Sequence, residues 1–208
     1  MRAAEIISRL GRPPAGPQTS FSQVHVVRAL LLIASNPGIG RKRLAEALGL
    51  GEGAARTLLS RLKEEGLIRS DRTGCYLTQK AQPLYEELSA DMTQPKPIDV
   101  SSTWPYLSNV AIIVRCAADR VGRGIEQRDS AIRAGARGAM TLAYKGGRLV
   151  MPGISDVSTE YPDFAERMLE QLHPNDNDVI IIVGADNRLE AENGAIAAAL
   201  VTLGLKAI

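Results

Sequence analysis

The stretch over residues 40–81 constrains the fold most, because four local signals follow one another in it without a gap. Residues 41–48 (RKRLAEAL) carry apolar side chains at helical spacing, and a Gly-Leu-Gly turn follows at 49–51. Residues 52–65 repeat the helical pattern, and residues 66–78 hold two short strand patterns around a polar tip. We therefore predict two helices joined by a sharp turn, then a β-hairpin and a further helix.

The surface that this pattern leaves outside is polar and basic. An α-helix fits the major groove of duplex DNA, where its outward side chains reach the base edges while neighbouring cations contact phosphates. The pattern therefore predicts a surface that binds double-stranded DNA. Its candidate residues are Arg41, Lys42 and Arg43 at the start of the first helix, Arg56, Thr57, Ser60, Arg61 and Lys63 on the second helix, and Arg69 and Arg72 at the hairpin tip.

Within this surface, we expect Arg56 and Arg61 to face the groove, and Arg41, Lys42 and Arg72 to contact phosphates. A charged outer face is also compatible with a merely solvated surface, or with a module that contacts protein or RNA. The order of the elements and the clustering of the cations favour DNA.

The segment RKRLAEALGLGEGAARTLLSRLKEEGLIRSDRTGCYLTQKA resembles the winged-helix transcription factors of bacteria and archaea, from their second helix to the helix after the wing. The resemblance implies a winged helix-turn-helix that binds duplex DNA. Gly51 and Gly53 depart from the family pattern, in which capping Ser or Thr and good helix formers are usual at these positions.

Taken whole, the chain resembles a family of uncharacterised archaeal winged-helix proteins with a C-terminal domain of unknown function. The segments GIEQRDSAIRAGARGAMTL, YKGGRLVMPG and IIIVGADN carry this resemblance. It implies a transcriptional regulator whose C-terminal fold is related to the GAD domain, a module inserted in some tRNA-charging enzymes. It brings no established ligand with it.

The charge distribution and the cysteines limit the possible partners. Residues 1–100 hold 14 Lys and Arg against 10 Asp and Glu, a net charge of +4, whereas residues 101–208 hold 11 against 13, a net charge of −2. The positive excess thus lies where we predict the DNA site. Cys75 and Cys116 have no metal-ligand spacing, and no apolar run is long enough to span a bilayer. We expect a cytoplasmic protein without a membrane partner, a metal, a cofactor or catalytic residues.

The domain prediction is an α+β chain in four segments. Residues 1–19 are predicted to be a flexible N-terminal segment, residues 20–92 the winged helix-turn-helix domain, and residues 93–103 a Pro-containing linker. The remaining segment, residues 104–208, follows the order β-α-β-β-α-β-α. This order indicates a two-layer α/β sandwich with a mixed or mostly antiparallel sheet, which serves as a sensor or dimerisation domain.

The predicted helix over residues 124–135 contains one anomaly. Ile125 and Ile132 fall on one face, which we take to be the inner face, and the charged residues Arg128 and Asp129 lie between them. With Arg120 and Arg123 just before the helix, these charges indicate a site for a small anionic effector. The alternative, which we favour, is a structural Arg–Asp pair at a domain or subunit contact.

The function that these patterns favour is a homodimeric transcriptional regulator, not an enzyme. Two copies would supply two recognition helices, and we expect their contact to involve the first helix, the helix after the wing or the C-terminal sheet. The alternative, from another class, is a nucleic-acid-guided enzyme or tRNA-related module whose activity lies in the C-terminal domain.

Overall fold

The structure, a computed structural model, describes residues 2–11, 20–100 and 104–205. The chain has a mixed α+β fold with antiparallel sheets. It divides into two compact units, residues 1–89 and residues 90–208. In the part of the chain that the structure describes, no helix is long and apolar enough to cross a membrane.

The first unit consists of helices and one two-stranded hairpin. A short 3-10 turn at Gln79–Ala81 leads into its last helix, which ends just beyond the boundary of the unit. The elements are α1 (Arg2–Gly11), α2 (Gln23–Ser35), α3 (Arg41–Leu48), α4 (Glu52–Glu64), β1 (Ile68–Asp71), β2 (Gly74–Leu77) and α5 (Gln82–Asp91).

Local signals fix the ends of these helices. The backbone N–H of Ser22, the N-cap of α2, donates to Nδ1 of His25 at 3.1 Å. Helix α3 ends at Gly49, whose left-handed backbone (φ 67°) costs glycine little, and Gly51 is the N-cap of α4. Helices α3 and α4 therefore begin and end within a residue of the predicted bounds, with the predicted glycine turn between them.

Helix α1 differs from the prediction of a flexible segment over residues 1–19. Its apolar face buries Ile7 and Leu10, and Arg9 pairs with Glu65 at 2.5 Å. A helix of this length is marginal by itself in water, so packing against α2 and α4 is what stabilises it. The Pro-rich part of the predicted segment, residues 12–19, lies outside the described residues.

The hairpin is tied to the loop between α2 and α3. Strands β1 and β2 are antiparallel, with Ile68 opposite Leu77. Cys75 in β2 forms a further bridge to Ile39, since its N–H donates to the Ile39 carbonyl at 3.0 Å and its carbonyl accepts from Gly38 N at 2.9 Å. The hairpin is thereby fixed relative to the start of α3.

The second unit is built on one five-stranded sheet. All its strand pairings are antiparallel, in the order β3-β4-β7-β5-β6. Its elements are β3 (Lys96–Pro97), β4 (Ser108–Val114), a 3-10 turn (Ala118–Arg120), α6 (Ile125–Arg133), β5 (Gly138–Lys145), β6 (Arg148–Val150), α7 (Val157–Glu160), α8 (Pro162–Leu172), β7 (Val179–Ala185) and α9 (Arg188–Thr202).

Helices cover both faces of this sheet, so the predicted two-layer packing is wrong while the antiparallel sheet is confirmed. One face packs against α6 and α9. The other face joins α7 and α8 in a cluster that includes Phe164, Met168 and Ile180. Because both faces are covered, every residue of β7 is buried.

The predicted linker also differs from what the structure shows. Residues 96 and 97 form β3, which pairs with β4, and Thr93 N donates to the Ile113 carbonyl at 2.9 Å. Residues 93–100 therefore belong to the second unit, and residues 101–103 lie outside the described residues. This Pro-containing segment can pair at the edge of the sheet, because an edge strand bonds to the sheet through only half of its backbone groups.

The orientation of α6 is opposite to the predicted one. Its buried residues are Gln127, Ser130 and Ala131, whereas Ile125 and Ile132 are 47% and 45% exposed. Small side chains let α6 approach α9 closely, and Ser130 donates to the Ala197 carbonyl at 3.2 Å. Close helix packing, rather than side-chain hydrophobicity, therefore decides which face of α6 is buried.

Candidate nucleic-acid interface

A cleft of about 670 Å³ opens in the first unit, between the start of α3, the outer face of α4 and the tip of the hairpin. Ala45 and Ala55 line its floor, where their small side chains keep it concave. On α4, Arg56, Ser60 and Lys63 border the cleft from one stripe, since they are spaced by four and three residues.

Positive charge dominates the cleft. Five cations line it against two carboxylates, which leaves a net charge of +3: Arg41, Lys42, Arg56, Lys63 and Arg72 against Glu52 and Asp71. Among the described residues, none of these five cations forms a salt bridge. Their charges are therefore available to an anionic ligand.

Buried beneath this surface is the thiol of Cys75. Burial raises the pKa of the Cys75 thiol, and the positive charges of Lys63 and Arg41 act in the opposite direction. The thiol is thus held in its neutral form in β2, where it packs as a small apolar group.

The hairpin tip is organised by Asp71. The carboxylate of Asp71 accepts hydrogen bonds from the backbone N–H of Thr73, at 2.8 Å, and from the Thr73 hydroxyl. These two bonds lower the pKa of Asp71, so the side chain is charged at neutral pH. Asp71 also pairs with Arg69 at 2.8 Å. The turn therefore holds Arg72 at the edge of the cleft without neutralising it.

Six of the ten predicted DNA-contacting residues meet at this cleft: Arg41, Lys42, Arg56, Ser60, Lys63 and Arg72. Arg43 and Thr57 are exposed but do not line it. The hydroxyl of Thr57 donates to the Gly53 carbonyl within α4, and that of Ser60 donates to Glu64. Thr57 is therefore not placed with the cleft residues.

Arg61 lies elsewhere, contrary to the prediction that it faces the groove. Its guanidinium lies 5.0 Å from the centre of the Phe21 ring and donates to the Leu10 carbonyl at 3.2 Å. This arrangement joins α1 and the start of α2 to α4. Arg69 is also engaged, because its guanidinium lies 4.2 Å from the centre of the Tyr76 ring and pairs with Asp71.

Comparison with known proteins gives matches to both units. A family described as "PH0730-like, N-terminal domain" matches residues 24–82, and a "Domain of unknown function (DUF4443)" matches residues 107–203. No curated protein matches the chain. The solved structure "Hypothetical protein PH0730 from Pyrococcus horikoshii OT3" is 30% identical, with a TM-score of 0.69 over 87% of this chain and 92% of that one. This chain belongs to the PH0730 family.

The two matched regions of the PH0730 family correspond to the two compact units. The N-terminal match runs from within α2 to the start of α5, and so contains every residue that lines the cleft. The second match runs from just before β4 to the end of α9, and so contains most of the sheet. The cleft thus lies within the region that matches the "PH0730-like, N-terminal domain" family.

The four residues predicted to bind an effector lie at the surface of the second unit. Arg120, Arg123 and Arg128 are exposed, and Arg128 pairs at 2.9 Å with its neighbour Asp129 on the outer face of α6. The predicted site assumed that Arg128 and Asp129 interrupt a buried stripe. Because that stripe faces outward, these charges incur no burial cost that would call for a ligand.

Sequence reasoning missed the contributions of Glu52, Ala45, Ala55 and Asp71 to the cleft. The two alanines are buried and also border the cleft. The signal that could have found them is the combination of small residues with the Arg56, Ser60 and Lys63 stripe, since a small side chain between long ones makes a helix surface concave. The Asp-x-Thr spacing at the hairpin tip is a recognisable turn motif.

Proposed function

We propose that this protein is a transcriptional regulator that binds double-stranded DNA through a winged helix-turn-helix formed by α3, α4 and the β1–β2 hairpin. The observation that carries the proposal is that five cations from three separate elements converge on one cleft and form no salt bridge with any described residue. In this arrangement α4 is the recognition helix and the hairpin is the wing.

The start of α3 supports phosphate binding for an independent reason. Arg41, Lys42 and Arg43 occupy its first turn, which has no acidic residue, and no side chain caps the helix at Gly40. A helix N-terminus favours anions. Each of the three cations there therefore interacts unfavourably with the helix dipole, which costs roughly 0.3–1 kcal/mol per cation. A phosphate at this position would interact favourably with both the cations and the uncapped N–H groups.

On α4, the proposed division of roles follows from position. Arg56, Ser60 and Lys63 share the stripe along the cleft and would reach base edges in the major groove. Arg41, Lys42 and Arg72 border the cleft from the flanking elements and would contact phosphates. The carboxylates of Glu52 and Asp71 repel phosphates nearby, which restricts how the duplex can lie and favours one register.

The second unit, residues 90–208, would serve the regulator as a sensor or assembly domain. Its relation to the GAD domain is an implication of the sequence resemblance alone. An enzymatic or tRNA-related role is the alternative class, and a structured RNA competitor in the binding assay distinguishes it.

The test is a binding titration of the full chain by fluorescence anisotropy, on duplexes recovered by selection from genomic fragments. Lys42→Ala should weaken binding to all duplexes and reduce the slope of log affinity against log salt by about one unit. Lys80→Ala is the matched control, because Lys80 is exposed in the same unit but does not line the cleft. It should leave the slope unchanged.

Arg56→Ala tests base contact separately from phosphate contact. It should cost roughly 1–3 kcal/mol at a selected site and much less on random duplex, so that sequence preference is relaxed. If Lys42→Ala and Arg56→Ala both bind as the wild type does, the cleft is not a DNA-binding surface. Tighter binding to structured RNA than to any duplex would favour the alternative class.

A further inference from the structure

The outer face of α6 is apolar at its two ends and charged in the middle. Ile125 and Ile132 are 47% and 45% exposed, and the salt bridge between Arg128 and Asp129 lies between them. These four residues have the spacing i, i+3, i+4 and i+7, so they form one stripe along the helix. Two large aliphatic side chains on one exposed stripe indicate an interaction surface.

We propose that this α6 stripe binds the same stripe of a second copy of the chain, antiparallel and about a two-fold axis. The midpoint between residues 125 and 132 is also the midpoint between residues 128 and 129. An axis through this point places Ile125 against the partner's Ile132, and Arg128 against the partner's Asp129. The stripe is thus complementary to itself in charge and in the placement of its apolar groups, as an isologous interface requires.

The salt bridge between Arg128 and Asp129 within one chain does not prevent these residues from pairing with the partner chain. It joins neighbours on one helix, and both side chains are about half exposed. Exposed pairs of this kind contribute little to stability, so the two charges can change partners at low cost. In the dimer each charge gains an opposite charge across the axis, and the four isoleucines leave water.

The interface between the two α6 stripes is short, because α6 spans only residues 125–133. An interface of this length buries much less than the roughly 1,600 Å² of a standard interface. We therefore expect a weak dimer that forms with rising concentration, with a dissociation constant on the order of 10–100 μM. The inference does not depend on DNA binding, since it concerns only the second unit.

The experiment is sedimentation equilibrium on the full chain from about 1 to 500 μM, a range that brackets the expected dissociation constant. The wild type should shift from its 22.3 kDa chain mass towards twice that value. Arg128→Glu and Asp129→Arg should each weaken self-association at least about tenfold, because like charges then meet across the axis. An equimolar mixture of the two variants should dimerise again, since both opposite-charge contacts are restored in the mixed pair.

Arg167→Glu is the control, because Arg167 is exposed on α8, on the other side of the sheet. It should associate like the wild type. Circular dichroism on each variant checks the fold, which exposed substitutions should leave intact. A wild type that stays at 22.3 kDa over the whole range overturns the proposal. So does a dimer that Arg128→Glu leaves intact, or a variant mixture that stays monomeric.

Discussion

His25 makes the stability of the first unit depend on pH. It lies in the first turn of α2, where its Nδ1 accepts the Ser22 N–H at 3.1 Å. Burial lowers the pKa of His25 to about 4, and the positive charge of Arg28 adds to this effect. The neutral imidazole is therefore the form that fits the fold, because only this form offers Nδ1 as an acceptor.

The sign of the pH effect follows from comparing the two states. The pKa of His25 is 6.5 in the unfolded chain and about 4 in the folded one, so the unfolded chain binds the proton first as pH falls. The contribution of the neutral ring is complete above pH 6.5 and is lost as pH falls towards 4. The difference of 2.5 pKa units corresponds to at most about 3 kcal/mol, and about 2 kcal/mol is reached at pH 5. Partial solvation of the ring reduces this to roughly 1–2 kcal/mol.

The assay is urea unfolding at pH 7 and pH 5, comparing the wild type with His25→Gln. Glutamine offers a carbonyl oxygen to the Ser22 N–H but does not titrate, so it preserves the capping contact. The wild type should lose about 1–2 kcal/mol more stability than the variant over this interval. Titration of the carboxylates is common to both proteins and cancels in the comparison. Equal losses in the two proteins would refute the reasoning, as would an NMR titration that places the His25 pKa at or above 6.5.

Three further substitutions test packing. Asp178→Ala should destabilise the second unit by about 3 kcal/mol in thermal unfolding, because the fully buried carboxylate accepts from Arg115 and from two backbone N–H groups. Gly184→Ala should cost about 1–3 kcal/mol and shift the fluorescence of Trp104, since the added Cβ would lie 2.4 Å from the indole nitrogen. Gly74→Ala should loosen the β1–β2 hairpin and so weaken the proposed DNA binding, because its Cβ would clash with the Gly38 carbonyl; unchanged hydrogen exchange of the hairpin amides would contradict this.

Where elements begin and end was predictable because the signals are local. Gly49 and Gly51 mark the turn between α3 and α4 in both sequence and structure. Asn187 caps α9 by accepting the Glu190 N–H at 3.0 Å, which is the role that its residue type favours. The ends of these helices depend on a few adjacent residues, which can be read directly from the sequence.

Which face of a helix is buried was not predictable where a distant partner decides it. Arg61 lies away from the cleft because its guanidinium packs over the ring of Phe21, which is forty positions earlier in the chain. In α6 the two isoleucines face outward because the opposite face, which carries Gln127, Ser130 and Ala131, packs against α9. Of the ten residues predicted for the candidate site, six lie together at the cleft, and helical spacing accounts for the three on α4. Arg61 and Arg69 instead contact aromatic rings, which spacing does not show.

The position of β7 in the sheet sets the order in which the second unit can fold. This strand lies between β4 and β5, although both are synthesised before it: Val110 and Ala139 both pair with Val183. Until β7 leaves the ribosome, only the local pairs β3–β4 and β5–β6 can form, and β4 and β5 each lack their central neighbour. At roughly 5–20 residues per second, the nascent chain exposes two unpaired, apolar strand edges for several seconds. Chaperones that shield such edges would therefore matter for this half of the chain, and truncation before Val179 would leave it unable to form a sheet of more than local hairpins.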